Sequence, residues 1–302
     1  MKPLSHVVTN LPASGIRRFF DLVAEMDDVI SLGVGEPDFV TPWPVREAAI
    51  ASLEKGRTSY TSNFGLLELR EAIAESQRTQ YGHRYDPRGE ILVTVGVSEA
   101  LDIAFRAMLD PGDEVLIPEP CYVSYMPCVA FAGGVPIHVP TTAVDGFAVG
   151  ASEIEARVTE RTKAIILSFP TNPTGATMTR EALQAVVDVA VRHDLYLVSD
   201  EIYDRLSYDA PHVSVPSLAG ARERTILLNG FSKAHAMTGW RIGYACAPAP
   251  VIESMMKVHQ YTIMCTPITA QIAAIAALRD GESAVRTMVR TTIADVVSSW
   301  PA

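Results

Sequence analysis

The sequence predicts an α/β protein, a three-layer sandwich in which helices cover both faces of a mostly parallel sheet. Two observations carry that expectation. Short apolar segments alternate with helical patterns from about residue 88 to 245, the rhythm of repeated βαβ units. Segments such as Ile165–Leu167 are continuously apolar instead of alternating, as strands are when both sheet faces are covered.

The elements follow in order. "EILVTVG" (90–96) reads as a strand and "SEALDIAFRAML" (98–109) as the helix after it; "DPGDEVLIPEP" (110–120) supplies a turn and a strand. "GGVPIHVP" (133–140) and "TKAIILSFP" (162–170) are the next strands. "TREALQAVVDVAVRHD" (179–194) is an amphipathic helix, with Leu183, Val186, Val187 and Ala190 at spacings of three and four. "LYLVSDE" (195–201) and "TILLNGFS" (225–232) complete the series. Ahead of it, "GIRRFFDLVAEMDDVISLGVG" suggests a helix from Arg17 to Met26 leading into a short strand. Beyond Pro248 the rhythm stops, and "PVIESMMKVHQY" and "TAQIAAIAALRDGESAVRTMVR" read as helices. No internal repeat or low-complexity segment interrupts the chain.

Composition narrows the function classes. The chain has 302 residues, 48% apolar and 20% charged, with a formal net charge of −10. That balance argues against a non-specific nucleic-acid binder, whose footprint is basic. Cys121, Cys128, Cys246 and Cys265 lack the paired spacing of a zinc site or a thioredoxin-like pair, so buried thiols in a reducing compartment and no metal are expected. The start, "MKPLSHVVTNLPASG", has no apolar core of signal-peptide length. No apolar run is long enough to cross a bilayer. A cytoplasmic protein is the expectation.

The polar residues cluster at strand ends, where ligands sit in open α/β sheets. Asn172 follows one strand inside "FPTNPTGA", Asp200 closes "LYLVSD" with Tyr203 just beyond, and Lys233 follows "TILLNG". Gly96 and Ser98 open a helix whose first N–H groups can hold a phosphate. Each has a plainer reading: Asp200 as an N-cap for "EIYDRL", Asn172 as a turn residue, Lys233 and Arg241 as a solvated charged face, Gly96 as turn geometry. Their joint placement favours a binding site. A dinucleotide site fails the same test, because "LGVGEPDF" has Gly33 and Gly35 but no third glycine, and Pro37 follows. The set suits an electron-withdrawing aromatic aldehyde that carries a phosphate. A lysine forms an imine with the aldehyde, and an aspartate keeps the ring nitrogen protonated. An aromatic residue stacks on the ring, and arginine with helix N–H groups holds the phosphate.

Together "LGVGEPDF" (32–39), "TSYTSNFGLLELREAIA" (58–74), "VTVGVSEALD" (93–102), "DPGDEVLIPEPCYVSY" (110–125), "NPTGA" (172–176), "VSDEIYDRL" (198–206) and "NGFSKAHAMTGWRIGY" (229–244) resemble the fold-type I pyridoxal-phosphate enzymes. They are most similar to the large domain of the class I/II aminotransferases, in the same order from near residue 30 to 290. The resemblance implies pyridoxal 5'-phosphate as cofactor and amino-group transfer between an L-amino acid and a 2-oxo acid. It implies that Lys233 is the Schiff-base lysine and proton shuttle, and that Asp200 is the partner of the ring nitrogen. Asn172 and Tyr203 then bond the phenolic oxygen, and Tyr122 stacks on the ring. Gly96, Val97 and Ser98 form the phosphate loop with Arg241, and Ser232 belongs to the cofactor-binding set. Tyr60 reaches the phosphate of a neighbouring subunit in a homodimer, and Gly35 lies beside the substrate carboxylate, with Tyr122 and Asn172 also facing substrate. Gly230 stands where many relatives have serine, so one phosphate contact is expected to be missing. A β-lyase, or a cofactor-binding remnant without activity, remains an alternative.

The resemblance also divides the chain. Residues 1–34 are expected to form an N-terminal arm and a remnant of a small domain, and 35–290 the cofactor-binding large domain with the start of the interdomain helix. Residues 291–302 are expected to be an aberrant tail, the rest of the small domain being absent. "TTIADVVSSWPA" can be back-translated so that the neighbouring frame encodes an arginine-rich run like that of relatives. A frameshift near Thr291 is therefore expected, and the gene's codons decide it.

Overall fold

The computed structural model describes residues 1–12, 35–208 and 210–299; the helix predicted over 17–26, the strand after it and Gly33 lie outside them. Seven strands form one sheet: β1 (Ile91–Thr94), β2 (Glu114–Glu119), β3 (Val135–Pro140), β4 (Thr162–Leu167), β5 (Tyr196–Asp200), β6 (Thr225–Gly230) and β7 (Gly243–Cys246). Their order is β1-β7-β6-β5-β4-β2-β3. β7 pairs antiparallel with both β1 and β6, and the other pairs are parallel. Two reversals cancel, so β1 runs the same way as β6. The carboxyl ends of the six predicted strands therefore share one edge of the sheet.

The seventh strand was not anticipated. "GYAC" is four residues long and follows a loop without its own periodicity, so only its pairing with two neighbours reveals it. It places Arg241 and Gly243 against the start of the first crossover helix.

Continuous apolarity in the strands is explained by two covered faces. Ile166, Val198 and Leu228 pack on one side with α3 (Gly96–Met108), α4 (Tyr125–Phe131) and α7 (Ala249–Thr262). Ile165 and Leu197 pack on the other with α5 (Ala151–Glu155) and α6 (Arg180–Arg192). On that same side α1 (Trp43–Glu54), α2 (Leu67–Tyr81) and α8 (Ile268–Asp280) cover β1, β7 and β6 through Val45, Ile73 and Ala274. The predicted stripe of α6, Leu183, Val186, Val187 and Ala190, is buried, and Thr179 caps the helix by accepting from Ala182 N at 3.2 Å. Burying each such aliphatic side chain contributes about 1.5–3 kcal/mol.

The last helical stretch divides at Gly281, where a Cβ would lie 2.4 Å from Ala277 O. The helix beyond it, α9, runs Glu282–Ser299 and so continues past residue 290. Among the described residues no helix is long and apolar enough to cross a membrane.

Candidate active site

Strand β5 ends on Asp200, and its carboxylate is 5% exposed. Oδ2 accepts from the Tyr125 hydroxyl at 2.9 Å and Oδ1 from Ile202 N at 3.3 Å. The bond to Ile202 closes a local turn and caps no helix, since the next helical turn is Asp204–Leu206 with Tyr203 at its N-cap, and it uses one oxygen only. No cation pairs with this carboxylate among the described residues. Burial raises its pKa from 3.8 to about 6, against the two hydrogen bonds that favour the ionised form. Its neighbour Glu201 is also buried but is satisfied elsewhere, by His212 at 2.8 Å and Val215 N at 2.9 Å. Burial opposes its ionisation, yet these donors hold it below the ordinary carboxylate range.

Asp200 makes the cofactor-free protein pH-sensitive in a defined direction. Its folded pKa lies above the unfolded value, so its contribution to stability is fully present below about pH 4 and is lost as pH rises through about 6. The loss is on the order of 3 kcal/mol. Thermal melts of the wild type and Asp200→Asn from pH 4 to 7 should diverge in that window, the wild type falling relative to the variant. Parallel curves would contradict the buried, unpaired carboxylate.

The other strand ends bring their residues beside Asp200. Asn172, beyond β4, donates from Nδ2 toward the Tyr203 hydroxyl at 3.5 Å. Tyr203 faces both ways: burial and the Asp200 charge raise its phenol pKa, and the Lys233 Nζ lies 5.6 Å from its ring centroid. Lys233, three residues after β6, donates to Gly35 O at 2.6 Å. Partial burial lowers its pKa, Glu36 opposes that, and Arg241 adds to it. The segment carrying Gly35 is pinned to the lysine loop. Thr41 donates to Ala236 O at 2.5 Å and accepts from Trp240 Nε1 at 3.0 Å. Ser232 is half-buried, and its carbonyl accepts from Met237 N at 3.2 Å.

A cup lies at the start of α3. Gly96 has φ 74, and a Cβ there would lie 2.6 Å from Arg241 Nη2. Among the described residues no side chain caps this helix, and the N–H groups of Val97 and Ser98, in its first turn, have no intrahelical acceptor. Arg241 adopts φ 51 and donates to Thr238 O at 3.1 Å, which holds the guanidinium at the cup. Its left-handed backbone and that of Ala236, at φ 52, cost about 1–2 kcal/mol each. Beneath the cup, Glu99 accepts from Val95 N at 2.5 Å and is bonded to His259 Nδ1 at 2.7 Å.

The glycine at 230 has a steric cause. A Cβ would sit 3.0 Å from Gly243 Cα and 3.1 Å from Ile242 O, between β6 and β7. A serine would need these neighbours to give by a few tenths of an ångström.

The structure therefore brings together Gly35, Gly96, Val97, Ser98, Tyr122, Asn172, Asp200, Tyr203, Ser232, Lys233 and Arg241 along one sheet edge. Tyr60 is not packed within its own chain: it is 79% exposed. Its loop is tied to the end of α7 through Asn63, which donates to Met264 O at 3.0 Å. Sequence reasoning missed Tyr125. It lies three residues after Tyr122, and that one-turn spacing in "CYVSY" was the available signal. The rings meet edge to face, with centroids 5.6 Å apart and planes at 80°.

Solved structures share this architecture. An aspartate aminotransferase from Thermus thermophilus with maleate superposes with a TM-score of 0.91 at 42% identity, covering 96% of this chain and 76% of that one. An aromatic aminotransferase from Pyrococcus horikoshii gives 0.85 at 46% identity, covering 91% and 74%. The fold is thus that of the fold-type I pyridoxal-phosphate-binding enzymes. The family model for aminotransferase class I and II matches residues 27–296, and the chain belongs to that family. Among curated relatives, the putative aminotransferase YugH of Bacillus subtilis is 52% identical over 288 residues, 95% of this chain and 75% of the relative. An aspartate aminotransferase of Pyrococcus abyssi is 48% identical over 271 residues, 89% and 70%.

Proposed function

We propose that this protein transfers an amino group between an L-amino acid and a 2-oxo acid with pyridoxal 5'-phosphate as cofactor, held by the unit over residues 35–290. The observation that carries the reading is the buried Asp200 carboxylate, with no cation paired to it among the described residues, at the edge that also bears a partly desolvated lysine. The residues fit the cofactor. Asp200 would accept from a protonated ring nitrogen, Asn172 and Tyr203 would hold the phenolic oxygen, and Tyr122 would offer a ring face. Gly96, Val97, Ser98, Ser232 and Arg241 form the phosphate end, where a Cβ at Gly96 would fill the cup. When bound, the cofactor supplies an aldehyde that takes up the amino group and a ring that absorbs the charge left on the substrate.

The chain's own residues do the rest. Asp200 keeps the ring-nitrogen proton in place, an electrostatic contribution in a water-poor site. Lys233 would remove the substrate Cα proton and carry it to the cofactor's aldehyde-derived carbon. Its lowered pKa enlarges the neutral fraction that can act as a base. The Gly35 carbonyl orients the amine, and Gly35 is the residue that would lie beside the substrate carboxylate.

Tyr60 supports a homodimer in which it reaches the partner's phosphate, since a large exposed aromatic, in a loop that Asn63 ties to the exposed Met264, suits a two-fold contact. The four free thiols, with Cys246 buried, suit a reducing, cytoplasmic setting. Spectral titration with pyridoxal 5'-phosphate tests the reading. A shifted absorbance band that borohydride fixes onto Lys233, then changes with added aspartate or aromatic amino acids, is expected. No band, or label on another residue, refutes it. Sedimentation of the loaded protein as a monomer refutes the dimer.

A further inference from the structure

We propose that Tyr125 is a positioning residue for both groups that bracket the cofactor ring: its hydroxyl fixes the Oδ2 oxygen of Asp200, and its ring fixes the tilt of Tyr122. The proposal rests on the functional reading above. Tyr125 opens α4, is 2% exposed, and donates its backbone N–H to Tyr122 O at 3.1 Å. Its hydroxyl donates to Asp200 Oδ2 at 2.9 Å while Ile202 N holds Oδ1 at 3.3 Å. An ionised carboxylate only accepts, so with a donor on each oxygen it cannot turn without losing one. The remaining lone pairs are thereby aimed at an incoming N–H. Complete burial keeps the phenol far above its ordinary pKa, so it stays a donor. The same ring meets Tyr122 at 80°, with centroids 5.6 Å apart. One buried side chain thus couples the ring-nitrogen partner on β5 to the stacking residue before α4.

Tyr125→Phe keeps the ring and removes the hydroxyl. With cofactor labelled by 15N in the ring, the wild type is expected to show a protonated nitrogen. The variant should shift toward the neutral value, with a cofactor dissociation constant roughly tenfold higher. In an Asp200→Asn background the same change should alter the constant by less than about twofold, because the charged acceptor is gone. If Tyr125 only packs, the loss would be the same in both backgrounds. A second variant, with 3-fluorotyrosine at 125, barely changes shape and strengthens the donor. It should lower the titration midpoint of a 13C-labelled Asp200 carboxyl in the cofactor-free protein. An unchanged nitrogen shift, an equal loss in both backgrounds, or an unmoved midpoint overturns the role of Tyr125. Failure of the wild type to take up cofactor at Lys233 overturns the functional reading instead.

Discussion

Lys233→Ala is expected to abolish the borohydride-fixed band and to lower turnover by about 10⁴-fold or more, because covalent capture and proton transfer are both lost. The size of the effect follows from the amine's position. Its one hydrogen bond among the described residues is to Gly35 O, and the charges bearing on it are Glu36 and Arg241. No carboxylate is in salt-bridge range of it among the described residues, so it does not serve as one half of a structural ion pair. Removing it should cost only about 1 kcal/mol of stability. Single-turnover measurement with an amino-acid donor, alongside a thermal melt, separates the two effects. A variant that keeps wild-type turnover would return Lys233 to a surface charge and end the proposed mechanism.

Asp200→Ala is expected to retain cofactor and yet lose about 10³-fold in the rate of Cα-proton removal. This electrostatic contribution acts on charge that develops during the reaction and is not present before it. Binding survives because the phosphate cup and Lys233 are separate from the carboxylate. Stability should change little at neutral pH. The variant leaves the Tyr125 hydroxyl without its acceptor, costing about 1–3 kcal/mol, and relieves a buried charge that burial already disfavours. Near-normal proton exchange at the substrate Cα would show that another group protonates the ring.

Parts of the site were readable from residue types alone. Asp200 ends "LYLVSD" and Asn172 follows "SFPT", and a polar group at the carboxyl end of a buried apolar strand has few places to go but the cleft. The cap reading of Asp200 was not realised, because the first helical turn after it spans Asp204–Leu206 with Tyr203 at its N-cap; Asp200 instead holds a local turn through Ile202 N at 3.3 Å, which leaves its other oxygen for the site. Gly230 shows the opposite case. The sequence marks a departure from serine there. The closeness of Gly243 Cα, 3.0 Å from where a Cβ would lie, is a fact about how two strands pair. Tyr125 escaped notice because its partner Asp200 is 75 positions away.

Local patterning by itself determined the strands, the amphipathic helices and the identity of the polar residues at strand ends, because those follow from side-chain periodicity and turn chemistry within a few residues. Only the tertiary structure decided that β7 reverses direction between β1 and β6, so that Gly96 and Lys233 emerge on the same edge. It alone decided that Arg241 closes the cup at Gly96, and that Tyr125 and Ile202 divide the oxygens of Asp200. Hydrogen bonds and close approaches between distant segments depend on how strands pair, and pairing is a property of the whole sheet.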